Sequence, residues 1–218
     1  QFDEAIAVAD SRKHANAAQM REDYFALLKR TNQEEKAAKL KEDEGDYETA
    51  IKLYLKGGLP AKAANVIKSR NMLGNSQLLE LVASALTTAG LHDRAGEFYE
   101  QMDQLQRALD AYIKGNAYRQ AVELARRHFP SQVVDLQEAW GDWLVSQKQV
   151  DMAINHYIEA NCSTKAIEAA LNSRQWQKAA QFVENLDRDS ARPYFKRIAR
   201  HYEESKQLEE AEKFYVAA

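Results

Sequence analysis

Five histidines and one cysteine are the residues of this sequence best suited to catalysis or metal binding. His14, His92, His128, His156 and His201 are scattered, and none has a second histidine three or four residues on. That spacing is what sets two imidazoles on one helical face around a zinc ion. Each histidine fits an ordinary helical role instead: His128 near a helix end, His156 beside Tyr157, His201 on a polar face. Cys162, in the run EANCST, has no histidine placed to take its proton, so it reads as a small packed or turn thiol. As the sole cysteine it rules out an internal disulfide and any multi-cysteine metal site. The acidic runs KEDEGD (41–46) and EESKQLEEAE (203–212) place carboxylates beside lysine at helical spacing. Such runs are solvated faces with i,i+4 pairing before they are acid/base pairs. Neither a G-x-x-x-x-G-K-[ST] nor a G-x-G-x-x-G run is present to cradle phosphate. No catalytic residue, cofactor site or metal site is assigned.

The elements that carry these side chains are set by small and aromatic residues that recur. Phe195, Ile198, Ala199 and Tyr202 fall on one helical stripe, and Leu208, Ala211, Phe214 and Tyr215 on another after the polar run Glu203 to Gln207. One such hairpin leaves half its apolar surface wet and needs neighbours. The Ala211/Tyr215 pair returns as Ala50/Tyr54, Ala95/Tyr99, Ala108/Tyr112 and Ala153/Tyr157. The full series of small anchors is Ala5, Ala18, Ala50, Ala63, Ala95, Ala108, Ala121, Ala153, Ala166, Ala179 and Ala211, separated only by steps of 13 or 32. A step of 13 holds one short helix and a turn, and a step of 32 holds an additional, longer helix. About fifteen helices are expected.

The runs F-x-x-I-A-x-x-Y (195–202) and Ala211-x-x-x-Tyr215 resemble the tetratricopeptide repeat. The resemblance implies an all-α, right-handed α-solenoid of degenerate tetratricopeptide-like helical repeats. Twelve residues before an anchor the pattern wants a small residue, and Gly141, Ala83 and Ala199 supply it, with Trp140, Leu144, Leu79, Val82 and Leu86 nearby. The copy before Ala50 has Ala37 and Ala38 but departs from the pattern with Glu34 and Lys41 at the bulky positions. Five residues before an anchor the preceding helix must end in left-handed backbone. Gly45, Gly58, Gly90, Asp103, Asn116 and Asn161 suit that need, while Lys13, Lys148, Arg174 and Lys206 stand at the other such positions. Pro193 is expected just inside the start of its helix, capped by Ser190 or Asp189. No Gly/Ser/Pro linker divides the chain, so residues 1–218 are expected to form one array, cut from a longer protein because the sequence lacks an initial Met.

Composition agrees: 45% hydrophobic and 29% charged residues with only eight Gly and three Pro suit amphipathic helices joined by short turns. A net charge of −3 gives no electrostatic footprint for nucleic acid, and no run is apolar for the length a membrane helix requires. Trp140, Trp143 and Trp176 sit in apolar phase and read as interhelix packing. In tetratricopeptide arrays the first helices line the concave side. There, Asp135, Glu138 and Asp142 in one unit and Arg192, Lys196 and Arg200 in the next are the candidate protein-binding residues, either a partner's landing site or an internal bridge. A co-chaperone clamp wants Lys and Asn across consecutive units, and the acidic trio argues against one.

The run from Ala153 to Val183, with GDYETAIKLYLKGGLPAKAA (45–64), FYEQMDQLQRALDAYIKGNAYRQAVELAR (98–126) and P-Y-F-x-x-I-A-x-H-Y (193–202), resembles the helical half of the largest peripheral-subunit family of intraflagellar transport complex B. The resemblance implies a non-enzymatic train subunit of cilia or flagella that binds other transport subunits, with propellers upstream of this segment. The residues alone leave open two further readings, a helical regulatory segment of an enzyme and a peptide-binding co-chaperone array. Apolar groove at the ends of the array is expected to favour self-association.

Overall fold

Alanine and leucine at helical spacing, broken every ten or so residues by a left-handed turn, give the chain its form. The computed structural model describes residues 17–218, in which fourteen α-helices and one short 3-10 turn occur and no strand. The chain divides into two units, Gln1–Gly115 and Asn116–Ala218. The described part of the first unit holds α1 (Ala17–Arg30), α2 (Glu34–Asp43), α3 (Tyr47–Lys56), α4 (Pro60–Ser69), α5 (Ser76–Thr88), α6 (His92–Gln101) and α7 (Leu105–Lys114). The second holds α8 (Tyr118–His128), α9 (Val133–Ser146), α10 (Val150–Glu159), α11 (Ser163–Asn172), α12 (Trp176–Val183), α13 (Arg188–Glu204) and α14 (Leu208–Ala217). Within each unit every helix packs chiefly on the one before and the one after it, the local pairing of a helical-repeat protein.

The turns follow the expected register. All nine of the anticipated positions from Gly45 to Lys206 have positive φ, from 55° at Asn116 to 84° at Gly45. Lys13 and the first anchor, Ala5, lie outside the described residues. Lys148 shows why a long side chain is tolerated there. Its amide reaches the Val145 carbonyl at 2.9 Å and the next amide, Gln149, reaches Leu144 at 2.9 Å. These two bonds close the helix end and offset the roughly 1–2 kcal/mol that left-handed backbone costs an L-residue. Asn32 and Asn71 adopt the same conformation at two further helix ends, after α1 and α4.

From Ala50 to Ala211 the anchors are buried, most of them completely. The positions sixteen residues before each repeat tyrosine, namely Ala38, Ala83, Gly96, Gly141 and Ala199, are buried as well. At Gly96 a Cβ would lie 2.6 Å from the ring of Tyr112, and at Gly141 it would lie 2.6 Å from the ring of Tyr157. The tyrosine therefore lies directly on the small residue, and its own hydroxyl turns back to the preceding helix end. Tyr54 donates to Glu42, Tyr112 to Glu100 and Tyr215 to Glu203, each twelve residues earlier, at 2.7–3.0 Å. Tyr99 meets Thr87 at the same interval, whereas Tyr157, with Val145 there, takes Asp142 instead.

Three expectations need correction. Ala18 is exposed at the start of α1, whose buried residues are Tyr24 and Leu28, because the segment before α2 is a fourteen-residue helix with its own apolar stripe. The helix holding Pro193 starts earlier than expected, at Arg188. Asp187, not Ser190 or Asp189, caps it by accepting from the Ser190 amide at 3.0 Å, leaving Pro193 inside the helix. On α14, Ala211 and Phe214 are buried but Leu208 and Tyr215 are 67% and 45% exposed. The irregular copy at α2 keeps Ala37 and Ala38 fully buried. Its polar residues are partnered, Glu34 with Lys56 at 3.1 Å and Lys41 with Glu44 at 2.7 Å, while the Lys41 ammonium also sits 4.5 Å from the Phe25 ring centre.

Replacing Gly141 by Ala sets a helix-propensity gain of about 1 kcal/mol against an overpacking cost of about 1–3 kcal/mol. The Tyr157 ring is buried and its hydroxyl is held by Asp142, so it has little room to retreat, and overpacking is expected to win. Thermal unfolding of Gly141→Ala should show a lowered midpoint. An unchanged or raised midpoint contradicts the packing described here.

Candidate protein-binding site

The six candidate residues fall on two helices of the second unit, and the structure treats the two groups differently. Glu138 and Asp142, one turn apart on α9, converge on Lys165 of α11, at 2.7 and 2.8 Å. Asp142 also accepts from the Tyr157 hydroxyl at 2.8 Å, so this carboxylate ties α9 to both α10 and α11. The two carboxylates, Asp142 first, hold the Lys165 ammonium above its ordinary range, and Lys165 in turn lowers the Glu138 carboxyl. Asp135 is exposed one turn before Glu138. Arg192, Lys196 and Arg200 are exposed on α13 and form no ion pair among the described residues, so the acidic and basic trios do not meet. Of the two uses the sequence leaves open for Glu138 and Asp142, their geometry is that of an internal bridge.

That bridge is one of a series. Lys62 pairs with Glu35, Arg107 with Glu80 at 2.9 Å, Lys165 with Glu138, and Lys178 with Asp151 at 2.6 Å, always at a separation of 27 residues. Two further pairs, Lys68 with Glu97 and Lys213 with Glu184, lie 29 apart. In each pair a cation on one helix meets a carboxylate two helices away within the same unit. The sequence contains this signal as a fixed offset between acid and base, but intervals between alanines do not reveal it.

A second polar cluster also escapes the sequence. Gln137 is buried on α9; its amide nitrogen donates to the Glu159 carboxylate, and its carbonyl lies 2.7 Å from His156 Nδ1. Glu159 also receives Arg126 at 3.3 Å. The Trp140 ring covers the His156 imidazole at 3.9 Å between centroids and stacks on Tyr118 at 6.4 Å. Burial pushes the His156 pKa down, against the opposing pull of Glu159. Trp176 covers His201 in the same way at 4.1 Å, so these tryptophans lie at helix contacts as expected, with histidine as partner. Cys162 sits in the turn before α11, half-buried, with its thiol pushed up by burial and by Glu138.

Leu208, Tyr215 and Val216 of α14 leave an apolar groove of about 400 Å³ open, together with Glu203, Ala211 and Glu212. Among the described residues no helix is long and apolar enough to cross a membrane, and no group of three or more His, Cys, Asp or Glu is placed to hold a metal.

No protein-family model matches the chain. Over its full 218 residues it is 52% identical to intraflagellar transport protein 172 of Chlamydomonas reinhardtii. It is 50% identical over 216 residues, 99% of the chain, to the homolog from Homo sapiens, and 36% identical along its whole length to intraflagellar transport protein osm-1 of Caenorhabditis elegans. The chain spans 12% of the length of the first two of these relatives and 13% of the third.

A histidine whose folded pKa lies below its unfolded value contributes stability that is complete above about pH 6.5 and is lost as the pH falls below it. His156 should therefore lower the melting temperature of the chain between pH 7.5 and 5.5. His156→Gln should flatten that dependence, as followed by circular dichroism melts. Equal slopes in parent and variant would contradict the burial argument.

Proposed function

We propose that this chain, homologous from end to end with a segment of intraflagellar transport protein 172, is a non-catalytic scaffold segment that works in intraflagellar transport. It would act at the cilium or flagellum and its base, on the cytoplasmic side, by binding other transport subunits. The identity of 36–52% to relatives so named, held along the entire chain, is the observation that carries this reading. The helical repeats support it, since stacked hairpins present long faces of exposed side chains on which partners can assemble. The 13-residue step from Ala108 to Ala121 equals steps found inside each unit, which supports one tetratricopeptide-like repeat series over residues 1–218. The open apolar groove at Leu208, Tyr215 and Val216 supports self-association of the isolated chain.

Affinity capture with the tagged chain from an extract of ciliated cells tests the main reading. Other intraflagellar transport subunits should be enriched over a heat-unfolded control; a folded chain that retains none of them overturns it. Light scattering on the same preparation should find species above the 24.8 kDa monomer, and monomer alone at every concentration removes the self-association part.

A further inference from the structure

In the second unit the cations on α8, α11, α12 and α14 are all engaged. Arg119 pairs with Glu123, Arg126 with Glu159, Lys165 with Glu138 and Asp142, Lys178 with Asp151, and Lys213 with Glu184, while Arg127 donates to the Glu123 carbonyl. Helices α9 and α10 carry neither lysine nor arginine. Helix α13 breaks this rule. Arg188, Arg192, Lys196 and Arg200 follow one another at strict four-residue intervals, all exposed and with no carboxylate partner among the described residues. Nor does the 27-residue offset provide them with one, since the residues 27 before them are Asn161, Lys165, Ala169 and Ser173.

The geometry points to this row as the docking site for an acidic helical segment of a protein partner, one with carboxylates at successive four-residue intervals. The inference rests on the scaffold reading above and names the chemistry of one contact. A row of i, i+4 positions rises about 18 Å over twelve residues and winds about 120° around its helix. A single rigid helix can therefore meet Arg192 and Lys196 head-on, with Arg188 and Arg200 reaching in from the sides. Guanidinium and ammonium groups four apart match carboxylates four apart on a facing helix, because both follow the same ridge spacing. The row is also short and set among charge that repels any polyanion: Asp187 precedes it, Asp189 stands beside Arg188, and Glu203 and Glu204 follow it, all exposed. A membrane surface or a nucleic acid would press its own charge against those carboxylates, whereas about three turns of acidic helix would not.

The probe is a fluorescein-labelled, alanine-rich helical peptide with four glutamates at i, i+4, i+8 and i+12. Its control is an isomer of the same composition with the glutamates spread around the helix. Anisotropy titration against the 218-residue chain should show binding of the row peptide, with the isomer at least about threefold weaker and affinity falling steeply between about 50 and about 300 mM salt. Arg192→Gln with Lys196→Gln should weaken binding about tenfold, and Arg188→Gln with Arg200→Gln only about two- to threefold, because the central pair faces the partner squarely. Equal binding of the two peptides, or no response to the central pair in variants with parental circular dichroism, overturns the proposal. So does a preference of the same residues for phosphatidylserine vesicles or duplex RNA over the row peptide. The two readings fail separately. If the central-pair variant still captures transport subunits and the peptide does not bind, only this inference falls. If the parent chain captures none, the scaffold reading falls whatever the peptide does.

Discussion

The contact on which the rest depends is a tyrosine ring lying on a residue with almost no side chain. Where Tyr157 covers Gly141 and Tyr112 covers Gly96, the helices approach more closely than a methyl group permits. Close approach brings the tyrosine hydroxyl within reach of a polar group near the end of the preceding helix. Its cost is a buried phenol that must be satisfied. The carboxylates Glu42, Glu100 and Asp142 meet that cost, and at Tyr54 burial, with the bond to Glu42, pushes the hydroxyl pKa up to about 12. Small residue, ring and carboxylate thus form one unit of construction. Removing any one of them leaves a void, a clash or an orphaned polar group.

This unit also explains how much of the fold was legible in the sequence. A methyl group or a glycine at a helix contact has few substitutes, so the anchors from Ala50 to Ala211 keep their spacing, and the left-handed turn five residues before each keeps its place even at Lys148, Arg174 and Lys206. Legibility fails where another force sets the local structure. Ala18 has the right residue type and spacing, but Tyr24 and Leu28 supply the buried face of that helix. Asp187 caps α13 because its backbone is extended and its carboxylate accepts from the Ser190 amide, so the helix starts before Pro193 and carries it inside. At α14 the apolar stripe is correctly read but only half of it is covered, since burial depends on a neighbour that a pattern cannot guarantee.

The candidate site was less legible for a physical reason. Charge at helical spacing is ambiguous until its partner is known, and that partner lies two helices away. Glu138 and Asp142 look like a patch on α9 and become a brace once Lys165 is seen between them. Gln137 is a polar residue on the buried side of a helix, recognisable only with His156 and Glu159 in view. The 27-residue offset is the one feature of this network that the chain displays openly, as Glu35 to Lys62, Glu80 to Arg107, Glu138 to Lys165 and Asp151 to Lys178.

That offset separates two kinds of charge in a repeat protein. A cation paired across two helices serves the repeat itself: it holds neighbouring hairpins in register, and exposure to water leaves each pair weak by itself. A cation with no partner on another helix does nothing for that brace. Arg188, Arg192, Lys196 and Arg200 of α13 are of this second kind, and α13 is also the longest helix among the described residues. Mutual repulsion between i,i+4 neighbours opposes a row of four unpaired cations, and no ion pair among the described residues offsets it. The basic row is therefore the surface on which the proposed docking rests, whereas the acidic pair on α9, which resembles it in the sequence, is engaged within the fold.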